Sequence, residues 1–199
     1  DLPGDLSSAC FFLVAALLAK DADLVIQGVG VNPTRSALLD FLVGLGGNIT
    51  VHDVHQSGGE LIANLRVRTS KVSGGVIEGA LTAALIDEIP ALAVLGAAGS
   101  GLTVRNASEL RVKETDRIAT IESNMRRMGI QIETAPDGFH IPGGQKFRAA
   151  EVDSAGDHRI AMAFAIAALS ADGPCTIHDA AAASVSFPEF YDTLTHIAA

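Results

Sequence analysis

Three stretches of this chain share one texture: SSACFFLVAALLAKD from Ser7, DEIPALAVLGAAGS from Asp87 and DHRIAMAFAIAALSAD from Asp157. Each opens on a small polar or acidic residue suited to capping a helix, continues through residues apolar on nearly every side, and stops at Gly, Asp or Ser. A helix without a polar face has no place on a surface; it belongs in the middle of a domain, with protein all round it. Three such helices constrain the fold more than any other feature, because something must cover all of them.

The cover repeats along with the helices. Each apolar stretch is followed by a short strand, DLVIQGV, GLTVRNA or PCTIHDA, and then by a more amphipathic helix: NPTRSALLDFLVGLGG, KETDRIATIESNMRRMG or SFPEFYDTLTHIAA. The offsets between first-helix and second-helix starts are 27 (7 to 34), 27 (87 to 114) and 30 (157 to 187). The first two copies add paired strands, NITVHDV with ELIANLRVRTS and IQIETAPDG with FHIPGG, and the turn signals HQSGGE and PDG fall where hairpins need them. With a strand before each unit, the pattern predicts an α/β fold of repeated βαβαββ units, the buried helices surrounded by mixed sheets. The third unit stops after its second helix, so the chain is expected to have been cut from something longer.

A chain of 199 residues can build one substantial domain or two small ones. With 48% hydrophobic and 19% charged residues the composition is that of a soluble globular protein. A net charge of −9 argues against nucleic acid, which needs a basic face, but leaves room for a small anion held by local cations and helix N-termini. Cys10 and Cys175 sit in apolar runs without CxxC or metal-ligand spacing, so no metal is expected, and buried free thiols in a reducing compartment are. The uncharged run over residues 6–19 is shorter than the roughly 20 residues that cross a bilayer, and no basic flank precedes it. It reads as a buried helix in a cytoplasmic protein, with no membrane partner.

The polar anomalies gather at helix starts. Asp87 begins the second buried helix, Lys113, Glu114 and Arg117 begin the helix after it, and His158 and Arg159 begin the third buried helix. On a helix, Lys113, Glu114 and Arg117 would share a face, with Asp116 rotated away and suited to a cap or a structural ion pair. Two readings are open for most of these residues. Asp87 and Asp157 are plain caps or cleft carboxylates, KETDR is a solvated turn or a charged site, and His158 is a satisfied core histidine or a further site candidate. Arg159 is harder to explain without a specific partner, because it enters an otherwise apolar helix. Taken together, the group reads as an anion site beside an acid–base pair, since Arg forks match carboxylate and phosphate geometry. No P-loop, GxGxxG or GxSxG pattern is present.

The segments GDLSSA, VNPTR, LIDEIPALAV, ELRVKETDRI, DHRIAMAF and SFPEF, in that order, resemble the C-terminal domain of the 5-enolpyruvylshikimate-3-phosphate synthases, the enolpyruvyl transferases of the shikimate pathway. The similarity runs over essentially all of residues 1–199, read here as a single domain, and over about half of the family's enzyme. It implies an inside-out α/β barrel of three βαβαββ units, with helix N-termini directed into a cleft against a similar N-terminal domain. The implied reaction joins phosphoenolpyruvate to the 5-hydroxyl of shikimate 3-phosphate and releases phosphate, with no cofactor. By the same resemblance Asp87 takes the hydroxyl proton and binds substrate. Glu114 protonates the phosphoenolpyruvate methylene, for which burial would raise its pKa. Lys113 reaches the shikimate 3-phosphate side, and Arg117 and Arg159 clamp phosphoenolpyruvate.

The sequence departs from the family pattern at Val185, where some members carry a phosphoenolpyruvate-binding Lys. With the N-terminal wall of the cleft missing, the chain is expected to be inactive alone. Two rivals stand beside this reading: a catalytically silent module that binds or completes a partner half, and the sister transferase acting on UDP-N-acetylglucosamine. The latter would require a reactive loop cysteine.

Overall fold

The computed structural model describes residues 3–32 and 36–198. The first unit opens with helix α1 (Leu6–Leu18), whose start is set by the Asp5 carboxylate accepting the Ser8 backbone N–H. Strand β1 (Asp23–Gly30), helix α2 (Ala37–Gly44) and strands β2 (Asn48–Ser57) and β3 (Glu60–Arg68) follow. β3 lies between the other two and antiparallel to both. The β2–β3 hairpin turns on Gly58 and Gly59, with φ of 61° and 90°, the left-handed backbone that a two-residue hairpin loop requires. The helix start expected at Thr34, and residues 33–35 of the VNPTR segment, lie outside the described residues.

The second unit runs β4 (Gly75–Ile77), a short helix α3 (Ala80–Leu85), the buried α4 (Ile89–Ala98), β5 (Gly101–Val104), α5 (Arg117–Arg127), β6 (Glu133–Ala135) and β7 (Gly138–Pro142). Its strands are ordered β4-β5-β7-β6, with β4 parallel to β5 and the other pairs antiparallel. The third unit has β8 (Glu151–Asp153), the buried α6 (His158–Leu169), β9 (Thr176–His178) and α7 (Phe190–Ala198), with β8 parallel to β9. The repeat thus extends to strand order. In the first unit an isolated parallel bridge between Gly4 and Val29 stands where β4 stands in the second. In the third unit only the parallel pair is described.

The three apolar helices pack against one another and form the centre of the core. Leu13 and Leu17 of α1, Ala93 and Val94 of α4, and Ala163 and Phe164 of α6 are fully or almost fully buried, so each helix is enclosed, as its lack of a polar face demands. α5 is amphipathic instead: Ile118, Ile121 and Met125 face the core while Arg126 and Arg127 face solvent. α7 closes the outside of α1, with Phe190 in edge or tilted contact with Phe11 and Phe12 at centroid distances of 6.0 and 5.5 Å. Each such buried aromatic contributes about 1.5–3 kcal/mol.

Among the described residues no helix is long and apolar enough to cross a membrane. Both cysteines are free, Cys10 buried as expected and Cys175 only half-buried.

Candidate active site

Asp87 sits in the turn between α3 and α4, over residues 86–88. Lys113 and Glu114 do not begin a helix, contrary to the sequence expectation. A 3₁₀ turn (Ser108–Val112) ends before them, Lys113 is extended at φ −77° and ψ −159°, and α5 starts only at Arg117. The cause is Asp116. Its backbone is extended and its carboxylate accepts the Ala119 N–H at 3.0 Å, which fixes the helix boundary. Arg111 secures this cap by donating to Asp116 at 2.8 Å and to the carbonyls of Ala135 and Pro136 in the β6–β7 turn. Asp116 is therefore the cap and structural ion pair its position suggested.

The charged side chains converge all the same, because Arg117 gathers them. Its side chain is fully buried. Nε donates to Asp157 Oδ2 at 2.8 Å and Nη2 to Asp157 Oδ1 at 3.3 Å, a forked pair with a carboxylate that is itself fully buried. The outward edge of the guanidinium holds the two candidate acid–base residues. Nη1 donates to Asp87 Oδ1 at 3.2 Å and Nη2 to Glu114 Oε2 at 2.6 Å. Burial alone would lower the Arg117 pKa, but Asp157, Glu114 and Asp87 outweigh it and hold the guanidinium firmly charged. Asp157 also accepts the backbone N–H groups of Arg159 and Ile160, so one carboxylate serves as helix cap and as counter-ion. The cap reading of Asp157 holds, and its second role is that of a buried counter-ion to Arg117.

Asp87 is the crossing point. Lys113 Nζ lies 3.8 Å from Oδ1, Arg159 Nη2 lies 3.6 Å from Oδ2, and Arg159 Nη1 donates to the Asp87 carbonyl at 3.2 Å. Partial burial pushes this carboxyl up, but Arg159, Lys113 and Arg117 together bring it below the usual aspartate value. Lys113 has its closer partner in Glu109, at 2.8 Å. The charge contacts of Lys113 and Arg159 with Asp87 are long, at 3.8 and 3.6 Å, whereas Arg117 is held from behind by Asp157.

Glu114 is less enclosed than an acid working near neutrality was expected to be: its side chain keeps 47% of its exposure. His158, half-buried on the first turn of α6, makes no hydrogen bond among the described residues. Burial and then Arg159 lower its pKa, so it is neutral near pH 7. That removes the satisfied-core reading and leaves it beside the charged cluster of Arg159, Asp157, Glu114 and Arg117. Val185 ends a 3₁₀ turn (Ala180–Val185) and is 79% exposed. Sequence reasoning passed over Glu88, a buried carboxyl next to Asp87 that meets Ser7 of α1. The signal was the one that singled out Arg159: a charge at the start of an apolar helix.

The site thus has a carboxylate pair held side by side by one guanidinium, two further cations beside it, and three helix starts at the same end of the domain. No group of three or more His, Cys, Asp or Glu side chains among the described residues is arranged to hold a metal ion.

The sequence matches the family model of EPSP synthase (3-phosphoshikimate 1-carboxyvinyltransferase) over residues 1–194. The 3-phosphoshikimate 1-carboxyvinyltransferase of Solibacter usitatus is 63% identical over 198 residues, which are 99% of this chain and 46% of that protein. That of Koribacter versatilis is 47% identical over 98% of this chain and 46% of its own length. The chain therefore spans a little under half the length of these relatives. An EPSP synthase structure from Acinetobacter baumannii superposes with a TM-score of 0.93 at 36% identity, over 98% of this chain and 46% of that one. The enolpyruvyl transferase NikO from Streptomyces tendae shares the fold at a TM-score of 0.78 and 17% identity, over 98% of this chain and 43% of its own. The architecture is the enolpyruvyl transferase one, buried helices ringed by sheets, and the chain belongs to the EPSP synthase family.

Proposed function

We propose that residues 1–199 form a single domain, the C-terminal half of a cytoplasmic enolpyruvyl transferase, and supply one wall of a cleft closed by an N-terminal domain. In that cleft phosphoenolpyruvate adds to the 5-hydroxyl of shikimate 3-phosphate and phosphate leaves. The observation that carries this reading is the Arg117 guanidinium holding Asp87 and Glu114 together beside Lys113 and Arg159.

The chemistry needs a base, an acid and cationic stabilisation of developing charge. Asp87 removes the hydroxyl proton while the hydroxyl oxygen bonds to C2 of phosphoenolpyruvate, and Glu114 delivers a proton to the methylene carbon. In the second half a proton leaves the new methyl group, returning to Glu114, and the C2–O bond to phosphate breaks, the departing phosphate taking up the proton held by Asp87. Asp87 alone, with a depressed pKa, is a weak base. An anion that draws Lys113 and Arg159 away from it relieves that depression, so substrate binding itself strengthens the base. The sister-transferase reading would need a reactive loop thiol; Cys10 lies inside α1, its pKa raised first by burial.

The test is made in the complete two-domain enzyme. Asp87→Asn and Glu114→Gln each reduce turnover by about 10²-fold or more, with the native fold retained because neither side chain is part of the apolar core. Near-normal turnover by either variant removes that residue from the mechanism.

A further inference from the structure

Glu88 is a buried carboxyl that neither the cap nor the ion pairs of the site use. It occupies the N-cap position of α4, yet its side chain makes no capping hydrogen bond. It is 8% exposed and turns instead toward α1, where it accepts a hydrogen bond from the Ser7 hydroxyl, itself buried. No ion pair to Glu88 forms among the described residues. The charged and titratable groups facing it are Asp87 beside it, Arg159 from α6, and Cys10 one turn along α1 from Ser7. Burial raises its pKa above the usual glutamate value against the opposing pull of Ser7 and Arg159. A cavity of about 280 Å³, lined by Leu6, Ser7, Leu38, Ile86, Asp87 and Glu88, opens beside it.

A carboxyl in this place is a poor choice for stability alone, since a packed apolar side chain would avoid the desolvation cost. What the Ser7–Glu88 contact does achieve is geometric. Asp87 lies in a turn with no strand or helix of its own. Arg117 and Arg159 reach that turn from two sides, and Ser7 reaches it from the third, through the next residue. We propose that Glu88, gripped by Ser7, is a positioning residue for Asp87: it pins the turn to the first turn of α1 so that the carboxylate meets Lys113, Arg117 and Arg159.

The proposal rests on the reading of Asp87 as the base, and the experiment separates the two. In the complete enzyme, phosphate release by the wild type establishes the reaction, and its absence counts against that reading. Given release, Ser7→Ala and Glu88→Ala each lower kcat about tenfold to a hundredfold, as small misplacements of a catalytic group do, with KM for phosphoenolpyruvate changed less than about twofold. Glu88→Gln, which still accepts from Ser7, restores kcat toward the wild-type value. Unimpaired kcat in the single variants, or a Gln variant no better than Ala, overturns the proposal. Should Glu88→Ala fail to fold, Ser7→Ala and Glu88→Gln carry the same test.

Discussion

Arg117 was expected to clamp an anion, and the structure shows it first as a strut. Both it and Asp157 are fully buried and forked together, so breaking the pair strands a charge away from water, which costs about 3–5 kcal/mol. Arg117→Lys, which cannot reproduce the fork, and Asp157→Asn are therefore expected to lower the stability of the isolated chain by that order in urea denaturation. An unchanged midpoint for both would mean that the guanidinium is free for a ligand after all. The neighbours Asp87 and Glu88 make a second test because their pKa values move in opposite directions. The depressed Asp87 contributes stability that is complete above its ordinary 3.8 and lost as pH falls through its folded value. The raised Glu88 contributes stability that is complete below its ordinary 4.5 and lost as pH rises through its folded value. Asp87→Asn is expected to flatten the acid side of the stability–pH curve and Glu88→Gln the side above pH 4.5. Curves parallel to the wild type would contradict the assignments. Much of this site was legible, because charges in an apolar sequence announce themselves. The role of Asp157 was only half visible, since a capping position already accounted for it, and Glu88 was hidden by the same logic.

The starts of the buried helices were read to within two residues, since the enclosure of each helix follows from composition alone. The start of α5 was not. Charge spacing over KETDR suits a helix as well as a bend, and only the capping by Asp116, with Arg111 tying it to the end of β6 and the turn after it, decides between them. The strands expected before the second and third units are β4 and β8, each only three residues long. The bulge in β2 was invisible: there register shifts between His52 and His55, and Asn64 of β3 bonds to Asp53 at 3.0 Å and to the Gly28 N–H at 3.0 Å. α4 offers a prediction in which two effects compete. Gly96→Ala would gain about 1 kcal/mol of helix propensity. A Cβ there, however, would fall 2.5 Å from Leu102 Cβ and 3.2 Å from its backbone nitrogen, and overpacking a core of this kind costs about 1–3 kcal/mol. Net destabilisation is expected, read as a lower thermal midpoint. A higher midpoint would show that α4 and β5 have room to part.

The repeat organises everything above. Two units share the order in which the last strand lies inside the third, and the third unit has its parallel pair and two helices. The starts of α4 and α5 from the second unit and of α6 from the third meet at Asp87, Arg117 and Asp157, so the site forms where two neighbouring copies of the repeat pack together. That pattern could be read from periodicity, while the distances that make a site of it depend on packing between units and could not. The chain has its own core and should unfold cooperatively. Catalysis is a different matter, because holding two anions in one geometry can supply about 7–11 kcal/mol and one wall of a cleft cannot do it. The most direct measurement is phosphate release from phosphoenolpyruvate and shikimate 3-phosphate by this chain alone, and by the chain mixed with the separately produced remaining half of the Solibacter usitatus relative. Release by the mixture and none by the chain alone is predicted; robust release by the chain alone, or none from a mixture in which both halves are folded and bound, would contradict the account.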